Sequence, residues 1–153
     1  MNHIEKAVQL FKEGRNCSQA VLLAFSDVTK MADSLALRLS SPFGGGMGRQ
    51  REVCGAVSGM LMVLGIVYGY EENGEKDANK KALYRDVQGL CNQFREASGS
   101  ILCREILKNP PSDANPTPRP AEFYKLRPCE RMVATAAALL EDYIAQHPIQ
   151  QLP

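Results

Sequence analysis

From Val53 to Tyr70 the chain runs 18 residues without a formal charge, and a glycine-rich segment, "FGGGMGRQRE", leads straight into it. An uncharged run of this length is either a buried helix or just long enough to cross a bilayer. Gly55, Gly59, Gly65 and Gly69 lower its hydropathy and create two small-xxx-small spacings, which suit close helix packing. Arg51, Glu52, Glu71 and Glu72 flank it without the positive cluster that orients a membrane span. The run is therefore expected to form a central helix from about Glu52 to Tyr70, with no span, and the rest of the chain to pack around it.

The other segments also read with a helical period. Ile4, Ala7, Val8 and Phe11 share one face, and Gly14 stops that helix. Asn16 is a good cap for "CSQAVLLAFSDV". "ADSLALRLSS", capped by Asp33 or Ser34, ends at Pro42. A turn is expected at 73–76. Leu83, Val87, Leu90 and Phe94 then form an apolar stripe over residues 77–97. Ser100 is placed to cap "ILCREILK", and Pro128 to open the last helix, "CERMVATAAALLEDYIA". Residues 109–120 hold five prolines and read as a surface connection, with a lid or docking arm as the lesser alternative. No alternating strand pattern and no internal repeat is visible. The expectation is one all-α domain over residues 1–153, a bundle of about six or seven helices.

Composition removes several function classes. A net charge of +1 gives no field for nucleic acid or an anionic membrane, and without Trp there is no base-stacking platform. Glu5, Lys6, Lys12 and Glu13 interrupt the N-terminus, so it lacks the apolar stretch of a signal peptide. A cytoplasmic setting is expected, where thiols are normally reduced. Glu13, Glu52, Glu71, Glu72 and Glu96 read as solvated side chains, and "VSGML" lacks the glycines of a nucleophile elbow.

The five cysteines remain. No two form a CxxC pair, and the only histidines, His3 and His147, lie far from them in sequence. Neither a mixed zinc site nor a Cys–His catalytic pair has support. Yet Cys17, Cys54, Cys103 and Cys129 each fall in the first turn of an expected helix, where unpaired N–H groups and the helix dipole favour a thiolate. Basic residues recur beside them: Arg15, Arg49, Arg51, Arg104, Arg127 and Arg131. A single free cysteine is commonly a plain buried hydrophobe. Four at helix starts point to joint chemistry, whereas Cys91, in mid-helix beside Leu90, reads as core.

The order of these features resembles the C_GCAxxG_C_C family of redox-active proteins. Cys17 stands in "GRNCSQAVLLAF"; "CGAVSG", from Cys54 to Gly59, matches the family's CGAxxG hallmark; Cys103 and Cys129 supply the third and fourth cysteines. "FGGGMGR" before the hallmark is also similar, and the likeness spans from near Ile4 to near Ala145. The resemblance implies a redox or metal-binding role through Cys17, Cys54, Cys103 and Cys129. An iron–sulfur cluster of the [2Fe–2S] kind is the leading form, used for electron transfer or sensing. Cys54 and Cys17 are the candidate redox cysteines. Gly44, Gly45, Gly46, Gly48 and Arg49 would form the supporting loop, its backbone close to sulfur. No CxxCH motif is present, so covalent haem is not expected. Three alternatives stay open: a metal-free thiol–disulfide protein, a four-cysteine zinc site, and an anion- or nucleotide-binding module built on the glycine loop. The redox partner is not named by the sequence, and a homodimer is a further expectation from the apolar glycine-rich helix.

Overall fold

The first two helices begin with the same device. Asn2 caps α1 (His3–Lys12) and Asn16 caps α2 (Cys17–Ala24). Each asparagine side chain accepts from the N–H three residues on, and Glu5 or Gln19 returns a bond to the cap. Such a box satisfies donors that a helix start otherwise leaves open. Gly14, at φ +108°, turns the chain between the two helices.

The structure, a computed structural model, describes residues 1–71 and 74–149. Next come a single turn α3 (Ser26–Thr29), α4 (Asp33–Ser40), α5 (Gly55–Tyr68) and the long α6 (Lys76–Ser98). A single turn α7 (Cys103–Ile106), α8 (Ala121–Leu126) and α9 (Cys129–Gln146) complete the order. Besides a 3-10 turn at Ser41–Phe43 and a four-residue turn at Gly44–Met47 that Gly45 and Gly46 interrupt with left-handed backbone, the described residues form nine helices and no strand, so the all-α expectation holds. The count exceeds six or seven because the chain breaks at Phe25 to make α3, and because α8 forms after the proline-rich loop. Part of the turn expected at 73–76, Asn73, lies outside the described residues.

Several helix starts differ from expectation for local reasons. α4 is preceded by Ala32 with no side-chain cap, Asp33 instead accepting from Ser26 Oγ at 3.2 Å. The apolar helix begins at Gly55, not Glu52, because Val53 leaves the helix to form an isolated antiparallel bridge with Leu102. Ser100 does not cap α7; it accepts from the Leu102 N–H at 2.9 Å and supports the turn before it. Pro128 sits at the cap of α9 rather than in its first turn.

α2 and α5 share the centre. Ser18 and Ala20–Phe25 are buried on every side of α2, which packs against α1, α4, α5 and α9. The one buried hydroxyl there, Ser18 Oγ, donates to Ser40 O at 2.7 Å. α5 adds Ala56, Val57, Met60, Val63 and Leu64, and α9 adds Met132, Val133, Ala136, Ala137 and Leu140. Fully burying one such Val, Leu or Met contributes about 1.5–3 kcal/mol. His3 stacks on Phe25 at 4.2 Å and places its ring nitrogens 2.9 Å from Glu141 and Asp27. It ties α1 to α9 and α3, away from the cysteines. No helix among the described residues is long and apolar enough to cross a membrane.

Candidate functional site

The bridge that shortens α5 also builds the site. The Cys54 N–H donates to Ile101 O at 2.7 Å, and the Cys103 N–H donates to Glu52 O at 2.7 Å. Side chains alternate along extended backbone, so Cys54 and Cys103, each one step past the bridged pair, leave it on the same face. Cys54 caps α5, Cys103 opens α7, Cys17 opens α2 behind Asn16, and Cys129 opens α9. All four line one cavity of about 320 Å³ at this end of the bundle. None is in a disulfide. Cys91 is 8% exposed in α6, in the core and outside the cavity.

The hallmark glycines set how closely the cysteine-bearing helices approach. A Cβ on Gly55 would run into Cys17 Sγ and come within 2.9 Å of Phe43 O. A Cβ on Gly59 would lie 2.7 Å from Ser18 O. α2 therefore rests on α5 with its backbone against bare glycine, and Cys17 meets the cavity from directly above Cys54's helix. The glycine loop works from the other side. Gly45 and Gly46 take φ of +69° and +73°, a region L-residues avoid. A Cβ on Gly46 would sit 2.7 Å from Cys103 Cβ, and one on Gly44 would strike Asn16. Gly44 and Gly45 line the cavity, Gly46 backs Cys103, and Gly48 stands outside with nothing closer than Pro42 O at 3.7 Å.

Cys17, Cys54 and Cys129 do not titrate as their helix positions suggest. Burial pushes Cys54 well above the ordinary thiol range, and the neighbouring Cys17, Cys129 and Cys103 push it further; the Ala56 N–H pulls the other way. Burial also raises Cys17, against an opposing N–H from Gly45. Cys129 is pushed up to about 12 by burial and by Cys17 and Cys103, with Arg127 and Arg119 opposing. The expected lowering at helix N-termini is present as donated N–H groups, but desolvation in a shared apolar cavity outweighs it. Raised in this way, the thiols of Cys17, Cys54 and Cys129 hold their protons through neutral pH.

Of the flanking arginines, Arg51 is 5% exposed, and its Nη1 donates to Cys103 Sγ at 3.6 Å. Arg49 lines the cavity but spends its donors on the proline-rich loop, reaching Asp113 O at 2.8 Å and Thr117 Oγ1. Arg127 lies over the Phe123 ring at 5.6 Å. Arg15 pairs with Glu13 and Arg104 with Glu52, both outside the cavity, and Arg131 is exposed. Residues 109–120 are more than a connection. Pro116, Thr117 and Arg119 form part of the cavity wall, and Arg51 Nε holds Pro111 O at 2.9 Å. Arg119, which the sequence did not single out, stacks on Phe11 at 4.2 Å. Its only sequence signal was a lone cation between Pro118 and Pro120.

The glycine loop offers little to an anion through its own backbone. The N–H groups of residues 48–52 are already donated within the loop, to Gly44, Met47, Gly45 and Gly46 carbonyls. The described residues contain no group of three or more His, Cys, Asp or Glu side chains gathered tightly enough to hold a metal ion. The four thiols surround a space rather than a point.

No curated protein and no solved structure matches the chain. One family's sequence model does, over residues 15–143, a stretch that contains the glycine loop and all four cavity cysteines. The family's label writes the second motif as GCAxxG, whereas here cysteine precedes glycine, as Cys54-Gly55-Ala56. The chain belongs to the family described as "Putative redox-active protein (C_GCAxxG_C_C)".

Proposed function

We propose that Cys17, Cys54, Cys103 and Cys129 ligate an iron–sulfur cluster, of the [2Fe–2S] kind, and that the protein transfers or senses electrons. The observation that carries this reading is the four-thiol wall of a single cavity, each thiol delivered by a different helix start. Four cysteine thiolates are the usual ligand set for such a cluster. The residues fit it in two further ways. Thiols that raise one another's pKa tolerate joint ionisation only around a concentrated positive charge, which ferric iron supplies. The buried guanidinium of Arg51 offsets the negative charge that four thiolates leave behind. When bound, the cluster accepts and returns one electron at a time.

The chain's own groups set the conditions for that exchange. The Gly45 and Ala56 N–H groups point at Cys17 and Cys54 sulfur, and Arg51 donates to Cys103 sulfur. Hydrogen bonds to ligating sulfur raise the potential of such centres. Phe11, Phe123 and Met132 add apolar side chains to the wall. The spread of the thiols favours a polynuclear group over one zinc ion, which needs all four sulfurs about 2.3 Å from one point. The raised pKa values of Cys17, Cys54 and Cys129 disfavour each of these three as a thiolate that attacks disulfides at neutral pH.

Anaerobic reconstitution with iron and sulfide, followed by metal and acid-labile sulfide assays, tests the reading. About two of each per chain is the expected result for this cluster type. Cys54→Ser should lose the visible absorption and keep its helical circular dichroism, while Cys91→Ser keeps both. Wild-type protein that retains neither iron nor sulfide overturns the proposal, and zinc in the same elemental assay would identify the alternative.

A further inference from the structure

The cavity gathers four cations and, of these, Arg49 pairs with an acidic side chain, that of Asp113 on the proline-rich loop at 3.9 Å. Arg49, Arg51, Arg119 and Arg127 all face it, and no Asp or Glu among the described residues lines it. The chain as a whole has a net charge of only +1, so this is a local concentration of cations rather than a basic protein. Arg49 is occupied by the proline-rich loop and Arg119 donates to Arg15 O at 3.0 Å. Arg51 is different. It donates to Pro111 O and to Cys103 Sγ, but its Nη2 is buried without a hydrogen-bond partner. A buried donor left open on a cation is costly, and native structures rarely leave one without a reason. Its backbone takes φ +61°, a left-handed conformation that glycine adopts more easily.

The rest of the wall says what kind of partner suits that donor. Ile106, Leu107, Phe123 and Met132 face the same space and offer only apolar surface. About 320 Å³ holds a small organic molecule. A guanidinium N–H makes strong charge-assisted hydrogen bonds to carboxylate oxygen, and Nη2 is the Arg51 nitrogen left open to make one.

We propose that this cavity binds a small organic anion, its carboxylate on Arg51 beside the cysteines and its apolar body against Phe123, Ile106, Leu107 and Met132. The site rests on the arginines and the apolar wall, so it does not require the cluster reading. It makes the protein a place where a small anionic molecule comes next to the redox cysteines. Pro116 and Thr117 of the proline-rich loop line the same cavity.

Calorimetric titration with sodium hexanoate, acetate and sulfate as probes tests this, on both the reduced metal-free protein and the reconstituted protein. Hexanoate should bind saturably and at least tenfold more tightly than acetate, because its extra methylenes leave water. Arg51→Met should weaken hexanoate at least tenfold, as expected for a lost charge-assisted bond, and Arg131→Met should not. Amide shifts of Gly45, Gly55 and Cys103 on titrating the wild type locate the site without any variant, should Arg51→Met fail to fold. Binding to the metal-free form alone supports the site and shows that it competes with the cluster. The proposal is overturned by the absence of saturable binding to either form, by sulfate binding without hexanoate, or by amide shifts confined to other surfaces. Failure to load iron and sulfide would leave these outcomes unchanged, so the two readings fail separately.

Discussion

The two halves of α5 carry the same spacing and do opposite things. Gly55 and Gly59 in the first half, and Gly65 and Gly69 in and just after the second, are both pairs four residues apart. In the first half the added Cβ atoms would meet Cys17, Phe43 and Ser18. In the second, a Cβ on Gly65 would meet nothing within 4 Å, and one on Gly69 would meet only the carbonyl of Gly65 in the same chain segment. Gly65 is exposed, and Ile66 beside it is 38% exposed. A small-xxx-small pair is thus permission for a close approach, not a sign that one occurs. What converts permission into contact is the partner: α2 buries Ala20, Val21, Leu22, Leu23 and Ala24 and must be covered, while among the described residues nothing comes within 4 Å of a Cβ on Gly65.

The largest expected effects break the first half. Gly55→Ala drives a methyl into Cys17 Sγ and the Phe43 carbonyl, and α2 has no free side on which to retreat. Overpacking of this kind costs typically 1–3 kcal/mol, and against backbone the upper end applies, so roughly 3 kcal/mol is expected. Gly59→Ala meets Ser18 O and Val21 Cβ and should cost about 2 kcal/mol. Urea unfolding of the metal-free proteins measures both. Gly55→Ala should also lower iron and sulfide retention per folded chain, because it displaces Cys17 from Cys54. Equal stability of Gly55→Ala and wild type would show that α2 does not bear on α5 as described.

A smaller effect distinguishes the thiol-bearing end by pH. Cys17, Cys54 and Cys129 have folded-state pKa values raised above their unfolded ones. The folded state then holds its thiol protons longer than the unfolded state. The resulting stability is complete below the unfolded thiol pKa, near 8.5, and is lost as pH rises through the folded values, about 12 for Cys129. Metal-free, reduced protein should melt at progressively lower temperature from about pH 9 upward. In a variant with Cys17, Cys54 and Cys129 all changed to Ser, that slope should become shallower, the remainder coming from Cys91, Tyr68 and Tyr143, whose pKa values burial also raises. A slope of the same steepness in the variant would place its origin elsewhere.

Much of this site could be read in the chain because its positions are marked locally. Asn16 and Pro128 announce helix starts, the cysteines follow them, and three successive glycines announce a loop that needs left-handed backbone. The parts that could not be read depend on what comes from far away. Arg51 and Arg104 look alike beside cysteines, yet one is buried on sulfur and the other pairs with Glu52 outside. Arg119 sits in a proline-rich segment with no period to say which way it faces. The protonation of Cys17, Cys54 and Cys129 is not legible in the sequence for the same reason. The helix dipole is local and visible, whereas the desolvation that overrides it comes from four segments meeting. The bridge between Val53 and Leu102 is too short to leave an alternating pattern, although it aligns two of the four cysteines.

The smallest expected effect sharpens the second half of α5. Gly65 has ordinary helical backbone, an exposed position and open space where a Cβ would go. Glycine there only costs the helix, because the unfolded chain gains more freedom from glycine than from alanine. Gly65→Ala should therefore stabilise the protein by about 0.5–1 kcal/mol, without changing the cavity at the other end. Two-state urea melts of Gly65→Ala and Gly59→Ala in parallel give opposite signs if the two halves differ as described. A homodimer that packed through the end of α5 would reverse the first sign, since the methyl would then meet the second copy. Sedimentation of the same two proteins separates these outcomes: unchanged mass with a higher midpoint leaves the surface open, and a loss of dimer together with a lower midpoint puts a partner helix on Gly65.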